Sequence, residues 1–181
     1  WDVWNEPWNA GWWGVGYDEK MRVYLTSERP QADFARLQRT AYEAAKSVDP
    51  SVTVLGINTN AGANGARWTR GVVEAGGLDA CDVICYHQYT SGAVGEPGDS
   101  VETGRRLGLA PALEGRAPKP VWLTEGSPVN GPGVLGAGFY RYTADAGGED
   151  YFHTADRLAR YLTSHLAAGN RKIFLYSMHS Q

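Results

Sequence analysis

Apolar positions along the chain follow two alternating periods. From Asp33 to Val48, residues Phe34, Leu37, Ala41, Ala44, Ala45 and Val48 recur at helical spacing until Asp49-Pro50 stops the run, which predicts a helix. From Tyr151 to Ala168, residues Ala155, Leu158, Leu162 and Leu166 form a second stripe that Gly169 is placed to cap. A shorter helix is expected over 66–75 around Trp68 and Val72, and a weaker one over 100–113, interrupted by Gly104, Gly108 and Pro111. Between them lie β-type runs: WDVWN (1–5), SVTVLGI (51–57), VICYHQY (83–89), PVWLTE (120–125) and KIFLYSM (172–178). The Trp- and Gly-rich stretch after Pro7 reads as loop. So does 127–148, whose Phe139, Tyr140 and Tyr142 suggest a lid or binding loop.

Strands and helices in strict alternation predict parallel strands joined by crossovers. Internal repeats and low-complexity linkers are absent, so residues 1–181 read as a single domain. Alternation alone does not separate a doubly wound sheet from a barrel. Polar residues decide it: Asn5 and Glu6, Asn58 and Asn60, His87 and Tyr89, Glu125, and Ser177 and His179 all fall at C-terminal strand ends. Five strands thus feed one rim, where (β/α)8 enzymes place their chemistry. A dinucleotide fold would need a GxGxxG turn after a strand, and none occurs. The expected fold is α/β: a partial (β/α)8 TIM barrel of five parallel strands alternating with helices. A full barrel takes about 250 residues, so strands 1 to 3 are read as missing.

Composition narrows the function. With 43% hydrophobic and 20% charged residues the chain is globular rather than disordered. A net charge of −3, with Lys and Arg spread along the chain, gives no electrostatic reason for a nucleic-acid partner. No apolar run approaches a membrane span, so no membrane partner is expected. Cys81 and Cys85 match neither a redox CxxC nor a zinc knuckle and are expected reduced and buried. The chain opens at Trp1, so a preceding segment is read as missing; the sequence fixes no compartment, although extracellular or periplasmic settings suit it.

Two short strings carry the chemistry. Trp4-Asn5-Glu6-Pro7 and Leu123-Thr124-Glu125-Gly126 each set one carboxylate at the end of an apolar run. Cleaving a glycosidic bond by the commonest route needs two opposed carboxyl groups, one to protonate the departing oxygen and one to attack or to activate water. A Glu taken alone is usually a solvated surface group; the matched context of these two favours catalysis. Trp8, Trp12 and Trp13 add rings on which the C–H faces of sugars could stack, against the alternative of core burial.

These strings resemble the retaining glycoside hydrolases of clan A, whose barrels carry Asn-Glu at the end of strand 4 and Glu at the end of strand 7. The resemblance implies Glu6 as acid/base, Glu125 as nucleophile and Asn5 as the partner of the sugar 2-hydroxyl. It sets His87 and Tyr89 at the end of strand 6, beside the nucleophile, with Tyr89 donating to Glu125 and His87 bonding substrate or a carboxylate, or serving structure alone. It further implies cleavage of β-glycosidic bonds in oligo- or polysaccharides by double displacement. Two departures stand out: the missing strands, and a last strand ending Tyr176-Ser177-Met178-His179 where many relatives end in Trp. The alternative is a non-catalytic carbohydrate-binding remnant of such a barrel, and self-association would cover its open sheet edges. No cofactor or metal is expected, since the four His form no HExxH and neither a GxSxG elbow nor a P-loop occurs.

Overall fold

The computed structural model describes residues 1–61, 63–91, 109, 113–129 and 149–176. Nearly all of the expected helix over 100–113, the 130–148 part of the expected loop, and Ser177 and His179 lie outside them. Within the described residues the order is β1 (Gly16–Asp18), β2 (Val23–Leu25), α1 (Pro30–Val48), β3 (Leu55–Asn60), α2 (Ala63–Glu74), a 3-10 turn (Gly77–Ala80), β4 (Val83–Ser91), β5 (Val121–Val129), α3 (Glu149–Ala167) and β6 (Asn170–Ile173). Strands β3-β4-β5-β6 form one parallel sheet in that order, and β1 pairs with β2 as an antiparallel hairpin.

The sheet therefore has four parallel strands, not the five expected. Residues 1–5 run beside β3 but touch its ladder only through the Asp2–Leu55 bridge and the Leu55 N–H on the Trp1 carbonyl. A side chain, Asn58, takes the Trp4 carbonyl that a strand would offer to its neighbour. The β1–β2 hairpin corrects the reading of residues 8–25 as plain loop. β5 runs on through 127–129, where loop was expected.

Helix boundaries and faces also shift. α1 starts at Pro30, three residues early, because a proline fits the first helical turn where its missing N–H costs nothing. Its buried face is Phe34, Ala35 and Gln38, while Val48, read as apolar stripe, is 88% exposed. Among the described α3 residues Tyr161 and His165 are buried and Leu162 packs against the main core as expected, while Leu166 is 58% exposed. There a polar network wins the interior: Tyr86 Oη and His165 Nδ1 lie 2.9 Å apart, and the Asn170 amide donates to Tyr86 Oη.

Alternation along β4 sorts two cores. Ile84 and Tyr86 join Ile57, Leu123, Phe34, Trp68, Val72 and Tyr161 on the helix side. Val83 and Cys85 pack with Leu55 and Trp122 on the other face, against which no described helix packs. Each ladder of the parallel sheet carries a register shift: at Ile57–Asn58 between β3 and β4, at Thr124 between β4 and β5, and at Arg171 between β5 and β6. Such bulges increase local twist and bend the sheet.

At the opposite end of the sheet, Asp82 clamps α1 to the strands. Lys46 Nζ lies 2.9 Å from its carboxylate, and the Val54 N–H donates to it at 2.8 Å. Burial works against the charge, but the Val54 N–H and Lys46 outweigh it and hold the carboxyl below its usual range. A depressed carboxylate contributes stability above its unfolded pKa of about 3.9 and loses it as pH falls through the folded value. Asp82→Asn should therefore cost about 1 kcal/mol at neutral pH. Urea unfolding of both proteins between about pH 3 and pH 7 should show the gap closing on acidification; a gap independent of pH would refute the clamp.

Candidate active site

Glu6 stands at the head of a tight turn. Its backbone is left-handed, with φ of 46°, and its carbonyl accepts the Asn9 N–H at 2.9 Å. Pro7 follows, buried, where a turn favours a fixed φ. The bend lifts the Glu6 side chain out of the line of Trp1–Trp4 and over the sheet, where one of its oxygens lies 2.9 Å from His87 Nδ1.

β4 supplies the middle of the site. His87 and Tyr89 are two residues apart and share the face of Val83 and Cys85. Glu125 reaches that face by a register shift. Strict alternation would turn it to the helix side with Leu123, but Leu123 pairs with Tyr86 and Glu125 with His87, leaving Thr124 unpaired between them. The next residue must be glycine, because a Cβ on Gly126 would collide with the Gln88 carbonyl and the Tyr161 hydroxyl.

Glu6, His87 and Glu125 each bring one ligating atom within 4.8 Å of the others. His87 Nδ1 lies 3.9 Å from Glu125 Oε2, and the Tyr89 hydroxyl donates to Glu125 Oε1. The side chains are 10% (His87), 16% (Glu6) and 26% (Glu125) exposed, so the group is sheltered yet open to a ligand. A cation could find one ligand atom on each of these residues. The hydrogen bonds they make engage His87 Nδ1, Glu6 Oε1 and Glu125 Oε1.

Near this group lie Asp2, which the sequence reading did not single out, and Asn58, which it placed on the rim of strand ends without a role. Asn58 is buried at φ 45° and donates from its amide to both the Asp2 carboxylate and the Trp4 carbonyl, while the Cys85 thiol lies 3.2 Å from its oxygen. Burial pushes the Asp2 carboxyl above its usual range, against the opposing pull of Asn58 and His87. Burial likewise raises both thiols, Cys81 to about 11, and both cysteines are free. The signal in the sequence was slight: one acidic residue inside the run 1–5 and a polar residue directly after the run 51–57.

The remaining candidates divide. Asn5 is exposed beside Glu6. Trp8 is half-buried against the main core; its indole N–H is buried without a partner among the described residues. Trp12 and Trp13 line a separate cavity against α1, which none of Glu6, His87, Tyr89 and Glu125 lines. Trp13 also packs edge-on against Phe34, at 5.8 Å, as a core residue would. No described helix is long and apolar enough to cross a membrane.

No protein-family model matches the chain, and no curated protein matches it. Among solved structures, it superposes on an α-L-arabinofuranosidase from Thermotoga maritima, in an arabinose complex, with a TM-score of 0.61 and 15% identity, covering 98% of this chain and 33% of that one. Weaker likenesses are N2152 from Neocallimastix frontalis (TM-score 0.42, 16% identity, 70% of this chain and 27% of that one) and AbfB, a family 51 α-L-arabinofuranosidase from Bifidobacterium longum (0.39, 11%, 91% and 30%). The last two are too distant to bear on the fold. This chain spans about a third of the length of the first structure, and across that third it shares that structure's fold.

Proposed function

We propose that the chain is the catalytic portion of a retaining glycoside hydrolase, a partial (β/α)8 barrel that cleaves β-glycosidic bonds in oligo- or polysaccharides. The observation that carries this reading is the approach of Glu6 and Glu125, one oxygen of each within 4.8 Å. Retaining enzymes hold their carboxyl groups about 5–5.5 Å apart, whereas inverting enzymes leave about 6.5–9.5 Å for a water. So close an approach of the two carboxyl groups favours the retaining reading over the inverting one.

In this mechanism Glu125 attacks the anomeric carbon while Glu6 protonates the departing oxygen. A glycosyl ester forms on Glu125; Glu6 then takes a proton from water, which displaces the sugar with net retention. Tyr89, donating to Glu125 Oε1, leaves Oε2 as the attacking atom. His87 donating from Nδ1 to Glu6 Oε1 leaves Oε2 of that residue to carry the transferred proton. Asn5, exposed and next to Glu6 in the chain, bonds the sugar 2-hydroxyl as charge develops in this reading.

Incubation with aryl β-glycosides, with an aryl α-L-arabinofuranoside and with 2-fluoro glycosides that trap the ester tests the reading. Turnover should occur, Glu125→Gln should lower it on the order of 10³-fold or more, and peptide mapping should find the label on Glu125. Label on a different residue, or full activity in Glu125→Gln, would overturn the assignment. Sugar binding with neither turnover nor label identifies the non-catalytic remnant instead.

Tyr89→Phe removes a hydrogen bond to a charged group. It should lower kcat about tenfold with little change in KM. Unchanged kcat would take Tyr89 out of the mechanism.

A further inference from the structure

We propose that the cavity between the Trp-rich segment and the N-terminal half of α1 is a second carbohydrate site, which takes a neutral sugar ring of a polysaccharide. The choice of sugar as ligand rests on the proposed glycosidase function; the site itself is separate from the carboxylate gap.

The cavity holds about 570 Å³ and is walled by Trp4, Trp12 and Trp13, with Asp33 and Arg36 from α1 and Ser27. That volume falls within the range of about 300–1,000 Å³ usual for small-molecule sites. Two of the three indoles are fixed. Trp4 Nε1 donates to the Trp12 carbonyl at 3.0 Å, Trp13 Nε1 donates to the Pro30 carbonyl at 3.1 Å, and the two rings meet edge to face at 5.4 Å. Walls held in this way lose little freedom on binding. Trp12 is 55% exposed and offers its ring to a ligand.

The polar groups select the class of ligand. Asp33 and Arg36 are the charged lining residues, one of each sign, and they pair at 3.3 Å. Their charges cancel, so nothing draws in a phosphate or a carboxylate, yet a carboxylate acceptor and guanidinium donors stand side by side to meet adjacent hydroxyls. The Ser27 hydroxyl in the wall is buried and has no partner among the described residues. An apolar ring face against indoles, with a hydroxylated edge against a neutral ion pair, is how a sugar is recognised.

Affinity electrophoresis in gels containing soluble arabinan, arabinoxylan or mixed-linkage β-glucan tests the proposal, with the Glu125→Gln protein as host so that no gel polysaccharide is consumed. At least one neutral polysaccharide should retard the host. Trp12→Ala should weaken that retardation about tenfold or more. Thr40→Trp, at an exposed α1 position that lines the cavity, should abolish it by filling the space. Matching circular dichroism melts establish that both variants fold. Equal retardation in host and both variants, or no retardation by any of the three, would overturn the second site. Retardation that depends on Trp12 in a protein whose wild type neither turns over glycosides nor takes the 2-fluoro label would support this site while removing the proposed catalysis, so the two readings fail separately.

Discussion

The bulge at Ile57–Asn58 is the constraint on which the candidate site depends. Two residues of β3 stand against one of β4, both with left-handed backbone, at φ of 69° and 45°. A β-branched residue there is strained, at about 1–3 kcal/mol. Side chains replace the ladder bonds that Ile57 forgoes: its N–H donates to Gln38 Oε1 and its carbonyl accepts Trp68 Nε1, each at 2.8 Å. Gln38 is fully buried, and its amide also donates to the carbonyls of Gly77 and Ala80. Gly56 makes room, since a Cβ there would come within 2.6 Å of the Gln38 amide. With Ile57 so held, Asn58 turns to the face of Cys85 and captures Asp2 and the Trp4 carbonyl. Glu6 is two residues further on, so its place over the sheet is set by an α1 glutamine that never approaches it.

The second carboxylate depends on an analogous device. Leaving Thr124 unpaired reverses the face on which Glu125 emerges, and Gly126 lets the chain pass beneath the Tyr161 hydroxyl, which donates to the Gln88 carbonyl at 2.7 Å. Both acidic groups thus reach one gap through departures from regular strand geometry. Regular strands would have sent Glu125 toward α3 and kept Glu6 in line with the ladder.

This is why the sequence located the candidate side chains better than the geometry that gathers them. The strings around Glu6 and Glu125, and the two-residue spacing of His87 and Tyr89, are local, and the structure gathers all four side chains. Elements with long apolar runs were equally legible: α1, α2, β3, β4, β5 and α3 all lie near their expected positions. What could not be read needed distant partners. The segment 1–5 has strand composition, but Asn58, more than fifty residues away, occupies its carbonyl. The described inner face of α3 sets Tyr161 and His165 beside the expected Leu162, because Tyr86 and Asn170 supply partners for His165. Trp12 and Trp13 look alike in sequence to ring platforms at the carboxylates, and only α1, bringing Phe34 and Pro30 to Trp13, moves them to a cavity of their own.

The two faces of the sheet separate the large apolar core from the candidate site. The helix side carries the large apolar cluster, whose burial contributes roughly 25 cal/mol for each Å² removed from water. The opposite face has a small one, Leu55, Val83 and Cys85 with Trp122, and beyond it sit Asp2, Asn58, His87, Tyr89 and the two glutamates. Loss of solvent around the Asp2 carboxyl pushes it above its usual range, against the pull of Asn58 and His87. Had these groups shared a face with Phe34 and Trp68, each would have displaced apolar contact and required its own burial. Placed opposite, they draw on a core they do not interrupt. The same separation lets the register shifts beneath Glu6 and Glu125 be tolerated, because the strain they hold is borne by Gln38, Trp68 and Tyr161 on the side where packing is densest.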